Sequence, residues 1–127
     1  MEDKIYTATV SQLNRFLKQM LDGTPILNNI WVKGEISNFK LHYSGHCYLT
    51  LKDGGGVLKA VMFKSSAGRL SFSPENGMKV VVSGRVSVFP RDGVYQLYCN
   101  HMMPDGVGEL AFAFERLKER LHREGLS

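Results

Sequence analysis

Lysines, hydroxyls and aromatic rings alternate with apolar residues from Trp31 to Asp53, and again from Val57 to Phe63. Alternation at every second residue is the period of a β-strand, and it sorts side chains onto two faces. Val32, Gly34, Ile36, Cys47, Leu49 and Leu51 share one face, and Lys33, Ser37, His46, Tyr48, Thr50 and Lys52 share the other. Lys59 and Phe63 continue that second face, Lys40 and His42 fall in the loop between the first two strands, and Lys64, Arg85 and Arg91 extend the path. Such a surface suits an unpaired nucleic acid strand, because cations follow phosphates and exposed rings stack bases. Tyr48 and Phe63 are the stacking candidates; Lys33 and Lys59 are candidates for phosphate contact. The plainer reading of the same residues is a solvated face, with one or both rings packed beneath a helix.

Two neighbouring residues read differently. Trp31, the only tryptophan, has outward parity with Lys33, but it opens its strand beside Ile26, Leu27 and Ile30, which predicts a structural role. Arg85 lies opposite a face formed by Val80, Val82, Gly84, Val86 and Val88, and its pattern leaves open whether it meets DNA or solvent.

Catalysis is not expected of this segment. His42, His46, His101 and His122 match no zinc spacing with Cys47 and Cys99, and the adjacent side chains of His46 and Cys47 diverge along a strand. Glu35, Asp53, Glu75 and Asp92 are dispersed, whereas metal-assisted phosphodiester cleavage needs acidic residues converging on ions. No catalytic residue, metal or cofactor is therefore expected, and both cysteines read as buried thiols.

The elements that would hold the outer face follow from local pattern. Leu13, Phe16, Leu17, Met20 and Leu21 form one helical stripe, which predicts a helix from Ser11, as N-cap, to Asp22, ended by Gly23. Five strands are predicted at 29–39, 46–53, 57–63, 79–89 and 94–103. Asp53-Gly54-Gly55-Gly56 and Pro90-Arg91-Asp92-Gly93 read as hairpin turns in which glycine takes positive φ. Ser65, Ser66, Ala67 and Leu70 permit a short helix before Pro74 and Gly77. Three strands, a helical link and two strands predict a mainly β protein, a five-stranded OB-fold barrel. A last amphipathic helix carries Leu110, Phe114, Leu117 and Leu121, with Phe112 off its stripe and Gly125 at its end. The sequence stops two residues later, which reads as a piece of something larger.

Composition sets the outer limits. The 127 residues, 43% hydrophobic and 22% charged, suit one ordinary globular core. No apolar run approaches the ~20 residues of a membrane span, and Met1-Glu2-Asp3 is unlike a secretory signal, so a cytoplasmic location is expected. The net charge of +4 is unevenly placed: residues 29–103 hold nine basic and four acidic side chains, so the strand-rich middle carries the excess.

With these residues laid out, the chain resembles the N-terminal domain of the exodeoxyribonuclease VII large subunit family of bacteria. The resemblance rests on Val10-Ser11-Gln12-Leu13-Asn14, the run Val32 to Phe39, Ser44-Gly45-His46, Leu51-Lys52-Asp53 and Val61-Met62-Phe63. It continues through Gly77-Met78-Lys79-Val80, Gly84-Arg85-Val86, Tyr95-Gln96-Leu97, Leu117 to Leu121 and Glu124-Gly125-Leu126. Thr7-Ala8-Thr9, Cys47 and the Gly54-Gly55-Gly56 turn depart from its usual pattern.

The resemblance implies an OB-fold domain at 1–103, including the first helix, and a linker helix at 104–127 leading to a catalytic domain. It implies binding of single-stranded DNA and its delivery to that domain, which degrades it to oligonucleotides in DNA repair and catabolism. The small subunit is the implied protein partner, docking on later segments. Two other readings fit the fold: an RNA-binding barrel of the anticodon-binding type, and a protein-interaction or oligomerisation domain using Trp31, Phe112 and Phe114.

Overall fold

The computed structural model describes residues 4–106 together with 118, 120 and 121. Along the chain, α1 (Val10–Asp22) and α2 (Pro25–Asn28) precede β1 (Ile30–Leu41), β2 (Cys47–Lys52) and β3 (Val57–Met62). The short α3 (Lys64–Ala67) then leads to β4 (Lys79–Phe89) and β5 (Val94–Pro104). The strands close into a barrel in the order β1-β2-β3-β5-β4, the five-stranded architecture expected. All neighbours are antiparallel except β3 and β5, which meet in parallel through Ala60 opposite Leu97 and Val61 opposite Tyr98.

Alternation builds the interior as read. Ile36, Cys47, Leu49, Leu51, Ala60, Met62, Val80, Val82, Leu97, Cys99 and Met102 form one buried cluster. Removing a Leu, Ile, Val or Met side chain from water contributes about 1.5–3 kcal/mol, so inward parity is strongly enforced. Both thiols are free and buried, as expected; burial raises that of Cys47 and pushes Cys99 up to about 12.

Two bulges change that parity where the outer surface is assembled. In β1 the register shifts between Ser37 and Lys40, and Asn38 takes a φ of 51°, a left-handed value that asparagine tolerates better than most residues. Phe39 then faces the core and Lys40 emerges opposite Tyr48, inside β1 rather than in the expected loop. In β5, Gly84 of β4 faces Cys99 while Ser83 faces His101, so Asn100 is the extra residue and His101 turns outward.

Several local expectations are corrected. The N-cap of α1 is Thr9, not Ser11: its hydroxyl accepts from the Gln12 amide, and the Gln12 side chain accepts from the Thr9 amide, a reciprocal box that fixes the helix start two residues before Ser11. The α1 stripe is not buried among the described residues; Leu13, Phe16, Leu17 and Met20 are largely exposed and Leu21 alone is half-buried. The helix instead leans on β4 through polar groups, with Asn14 donating to the Pro90 carbonyl at 3.0 Å and Ser87 donating to Asp22. The β2–β3 turn contains no positive φ; Asp53 closes it by accepting from Gly55 at 2.8 Å, and only Gly93, in the β4–β5 turn, is left-handed as expected. The helix α2, begun by Pro25, was not anticipated. Of the last expected helix, Leu110, Phe112, Phe114 and Leu117 lie outside the described residues, and Leu121 is helical.

Gly84 leaves no room between β4 and β5 for a side chain: a Cβ there would lie 2.1 Å from the Tyr98 carbonyl oxygen. Backbone cannot yield as a flexible side chain can. Gly84→Ala is expected to lower stability by ~2 kcal/mol or more, within or above the usual range for overpacking. Urea unfolding checks this, and an unchanged midpoint would show that the two strands separate freely.

Candidate nucleic-acid interface

Register lines up the outward residues in rows that cross the strands. Lys40, Tyr48, Val61, Tyr98 and Arg85 occupy successive positions on β1, β2, β3, β5 and β4. Ser37, Thr50 and Lys59 form a second row beside it. Val61 is buried although its parity is outward, so side chains on this face close over it.

The aromatic groups form two clusters on this face, one running through His46, Phe63 and Tyr98 and the other joining Tyr48, His42 and Tyr43. The His46 ring meets Phe63 edge to face at 5.3 Å between centroids, and Phe63 lies 6.0 Å from Tyr98. The Arg85 guanidinium stands 4.6 Å above the Tyr98 ring, a cation–π arrangement that orients both groups. Tyr48 is 44% exposed and Phe63 46%, so each keeps ring surface available while its base is packed. His42 stands edge-on to Tyr48 at 6.3 Å, and the almost fully exposed Tyr43 lies 4.1 Å from His42.

Backbone contacts fix this path. The Lys64 amide donates to His46 Nδ1 at 2.8 Å, joining the loop before β2 to the start of α3, where Phe63 is the N-cap. Gly45 has a φ of 92°, and a Cβ there would meet the Lys64 stem at 2.9 Å. The Lys64 stem thus packs against the loop at Gly45. Gln96 donates to the Tyr98 hydroxyl at 2.9 Å.

The remaining sequence candidates divide. Lys59 and Thr50 stand beside Tyr48, as read, and Ser37 is half-buried next to them. Lys52 faces outward but lies 3.4 Å from Glu35, which offsets its charge. Lys33 also faces outward, yet it pairs with Val81 of β4, beyond the end of β2, and is separated from the rings. Arg91 is exposed in the β4–β5 turn, 4.0 Å from Asp92. Trp31 is 53% exposed, not buried as the structural role expected of it beside Ile26, Leu27 and Ile30 would require. Tyr98 was missed; its outward parity between Leu97 and Cys99 was visible, but its position beside Phe63 depends on the β3–β5 closure.

A cavity of about 550 Å³ opens at one end of this surface, lined by Lys33, Lys52, Lys79 and the carboxylates Glu35, Asp53 and Asp105. Among the described residues no three His, Cys, Asp or Glu side chains converge on a metal site. No described helix is long and apolar enough to cross a membrane.

A closed five-stranded barrel with rings and cations on one outer face defines a class, and the chain belongs to it: residues 8–103 match the family described as OB-fold nucleic acid binding domain. Within that family the chain is similar to proteins named exodeoxyribonuclease 7 large subunit. The Ruminiclostridium cellulolyticum protein is 57% identical over 124 residues, covering 98% of this chain and 30% of its own length. That of Clostridium acetobutylicum is 57% identical over 122 residues, 96% of this chain and 31% of its own. The chain thus spans about 30% of the length of these relatives. Solved structures share the fold at lower identity. A replication protein A heterotrimer bound to single-stranded DNA gives a TM-score of 0.52 at 17% identity, over 80% of this chain and 75% of that one. Asparaginyl-tRNA synthetase from Pyrococcus horikoshii gives 0.51 at 19%, over 72% and 22%.

Asp22 sets the far boundary of the site. Its carboxyl is held below the usual 3.8 chiefly by the Lys18 side chain, then by Ser87, with Arg85 adding attraction from 3.8 Å. The folded state therefore holds this proton less tightly than the unfolded chain, so its stabilisation is full above 3.8 and is lost as pH falls through the folded value. Urea melts at about pH 5 and pH 3 are expected to show a smaller acid-induced loss of stability in Asp22→Asn than in the parent. Equal losses would mean that Asp22 does not tie α1 to the barrel.

Proposed function

We propose that this chain is the single-stranded DNA-binding domain of an exodeoxyribonuclease VII large subunit. The observation that carries the reading is the register row that sets Tyr48, Tyr98 and Arg85 on β2, β5 and β4, with Phe63 just past the end of β3 and 6.0 Å from Tyr98, in a chain 57% identical to proteins of that name. Bases stack on Tyr48 and Phe63, and the edge of Tyr98 carries the row toward Arg85. Lys40, Lys59, Lys64 and Arg85 take phosphates, Ser37, Thr50 and His46 supply polar contacts between them, and Arg91 meets the strand at the hairpin tip. Lys33 and Lys52 contribute at the cavity end, where Glu35 weakens the pull of Lys52. This arrangement binds and orients a flexible strand by π-faces and charge, without selecting a base.

The chemistry lies in the part of the parent protein outside this chain, a hydrolase domain that shortens single-stranded DNA to oligonucleotides. This barrel holds the substrate for that domain, and the small subunit joins through the same remaining part. The domain works in the cytoplasm, in DNA repair and catabolism.

Four phosphate contacts to a single strand set the slope of log affinity against log salt near about −3, at ~0.7 per contact. Anisotropy of labelled oligo(dT) at several salt concentrations is expected to give that slope. Tyr48→Ala weakens binding about fivefold or more and leaves the slope, whereas Lys59→Ala lowers the slope by about 0.7. Absence of binding, or a flat salt dependence, would overturn the reading.

A further inference from the structure

Between α3 and the end of β5 is a second pocket, of about 220 Å³, whose walls include Trp31, Ser66, Arg69, Asn100, His101 and Met103. We propose that it is a separate subsite for one nucleobase and its phosphate, occupied by the DNA strand after it leaves the ring path. The proposal rests on the nucleic-acid reading given above and adds a site to it.

The pocket is assembled by the β5 bulge. Because Asn100 is the extra residue, His101 turns outward and stands in one register row with Ser83 and Trp31. Ser83, small and buried, separates the indole from the imidazole without filling the space between. Without the bulge the parity of β5 would send His101 inward and Met102 outward. Bulges of this kind often re-aim a side chain beside a functional site.

Its dimensions and chemistry indicate one base rather than a free small molecule. Drug-sized ligands occupy clefts of about 300–1,000 Å³, and this pocket is smaller. Its single large ring, Trp31, is 53% exposed and offers a stacking face. Asn100 brings an amide that can both donate to and accept from a base edge. Arg69 donates to Ser66 Oγ at 3.4 Å, which uses one of its five N–H groups and leaves the fork for a phosphate.

Two elements connect this pocket to the ring path. Tyr98 and Asn100 are two residues apart on β5, about 7 Å at strand rise. Phe63 caps α3 on the ring side, and Ser66, one turn on, lines the pocket. An OB barrel engages ~4–16 nucleotides, more than three rings can stack, so the strand has to continue past Tyr98. The Trp31 pocket is a concave surface lined by the β5 residues that follow Tyr98 and Cys99.

Trp31 is the sole tryptophan, so its emission reports this pocket alone. Oligo(dT) of ~16 nucleotides, the upper end of the site size, is titrated against the 127-residue chain while anisotropy of a labelled copy reports total binding. Trp31 emission is expected to be quenched along the same isotherm, and Arg69→Ala is expected to lower the salt slope by about 0.7. Binding by anisotropy with unchanged Trp31 emission and an unchanged Arg69→Ala slope would overturn the subsite and leave the ring path standing. Binding absent by both signals would overturn both.

Discussion

The short parallel contact between β3 and β5 is the constraint on which the rest depends. Two register positions, Ala60 with Leu97 and Val61 with Tyr98, turn a curled sheet into a closed barrel. Closure removes the free edges that would otherwise pair with other chains. It also places Tyr98 6.0 Å from Phe63 although thirty-five residues separate them in sequence. The approach of Gly84 to the Tyr98 carbonyl then sets Arg85 above the ring. The interior and the outer ring path are therefore two consequences of one closure.

Charge on the outer surface is tuned by pairing as much as by composition. Lys52 is drawn to Glu35 and Arg85 is shared between Tyr98 and Asp22, whereas Lys40, Lys59 and Lys64 have no ion-pair partner within 4.0 Å among the described residues. Exposed pairs contribute little to stability, at most about 1 kcal/mol, but they decide where a phosphate finds an uncompensated cation. The cationic middle of the sequence is thus narrower in space than in the chain. The polar seat of α1 on β4 belongs to the same pattern: it fixes Asp22 beside Arg85 and leaves the apolar stripe of the helix outside the barrel.

Strand boundaries, inward residues and both hairpins were legible because burial alternates along Cys47–Lys52, and because the inward positions Ala60 and Met62 of β3 and Val80 and Val82 of β4 are buried as the period of two requires. The faces of Tyr48, Thr50 and Lys59 were readable for the same reason. Bulges were not, since Asn38 and Asn100 each break the period by one residue without a distinctive local signal; Lys40 and His101 turn on them. Tyr98 escaped because its neighbours are set by closure between distant strands. The α1 stripe misled, because helical periodicity shows which side is apolar but not what covers it. Trp31 was misplaced through that same assumption, and the separation of Lys33 from the rings was not readable because alternation gives a face but not the strand beside it.

Amide shifts followed during titration with unlabelled oligo(dT) test the nucleic-acid surface most directly. The largest changes are expected at Lys40, Tyr48, Lys59, Phe63, Lys64, Arg85 and Tyr98, forming one continuous track around the barrel. Changes confined to α1, with these seven residues unmoved, would contradict it.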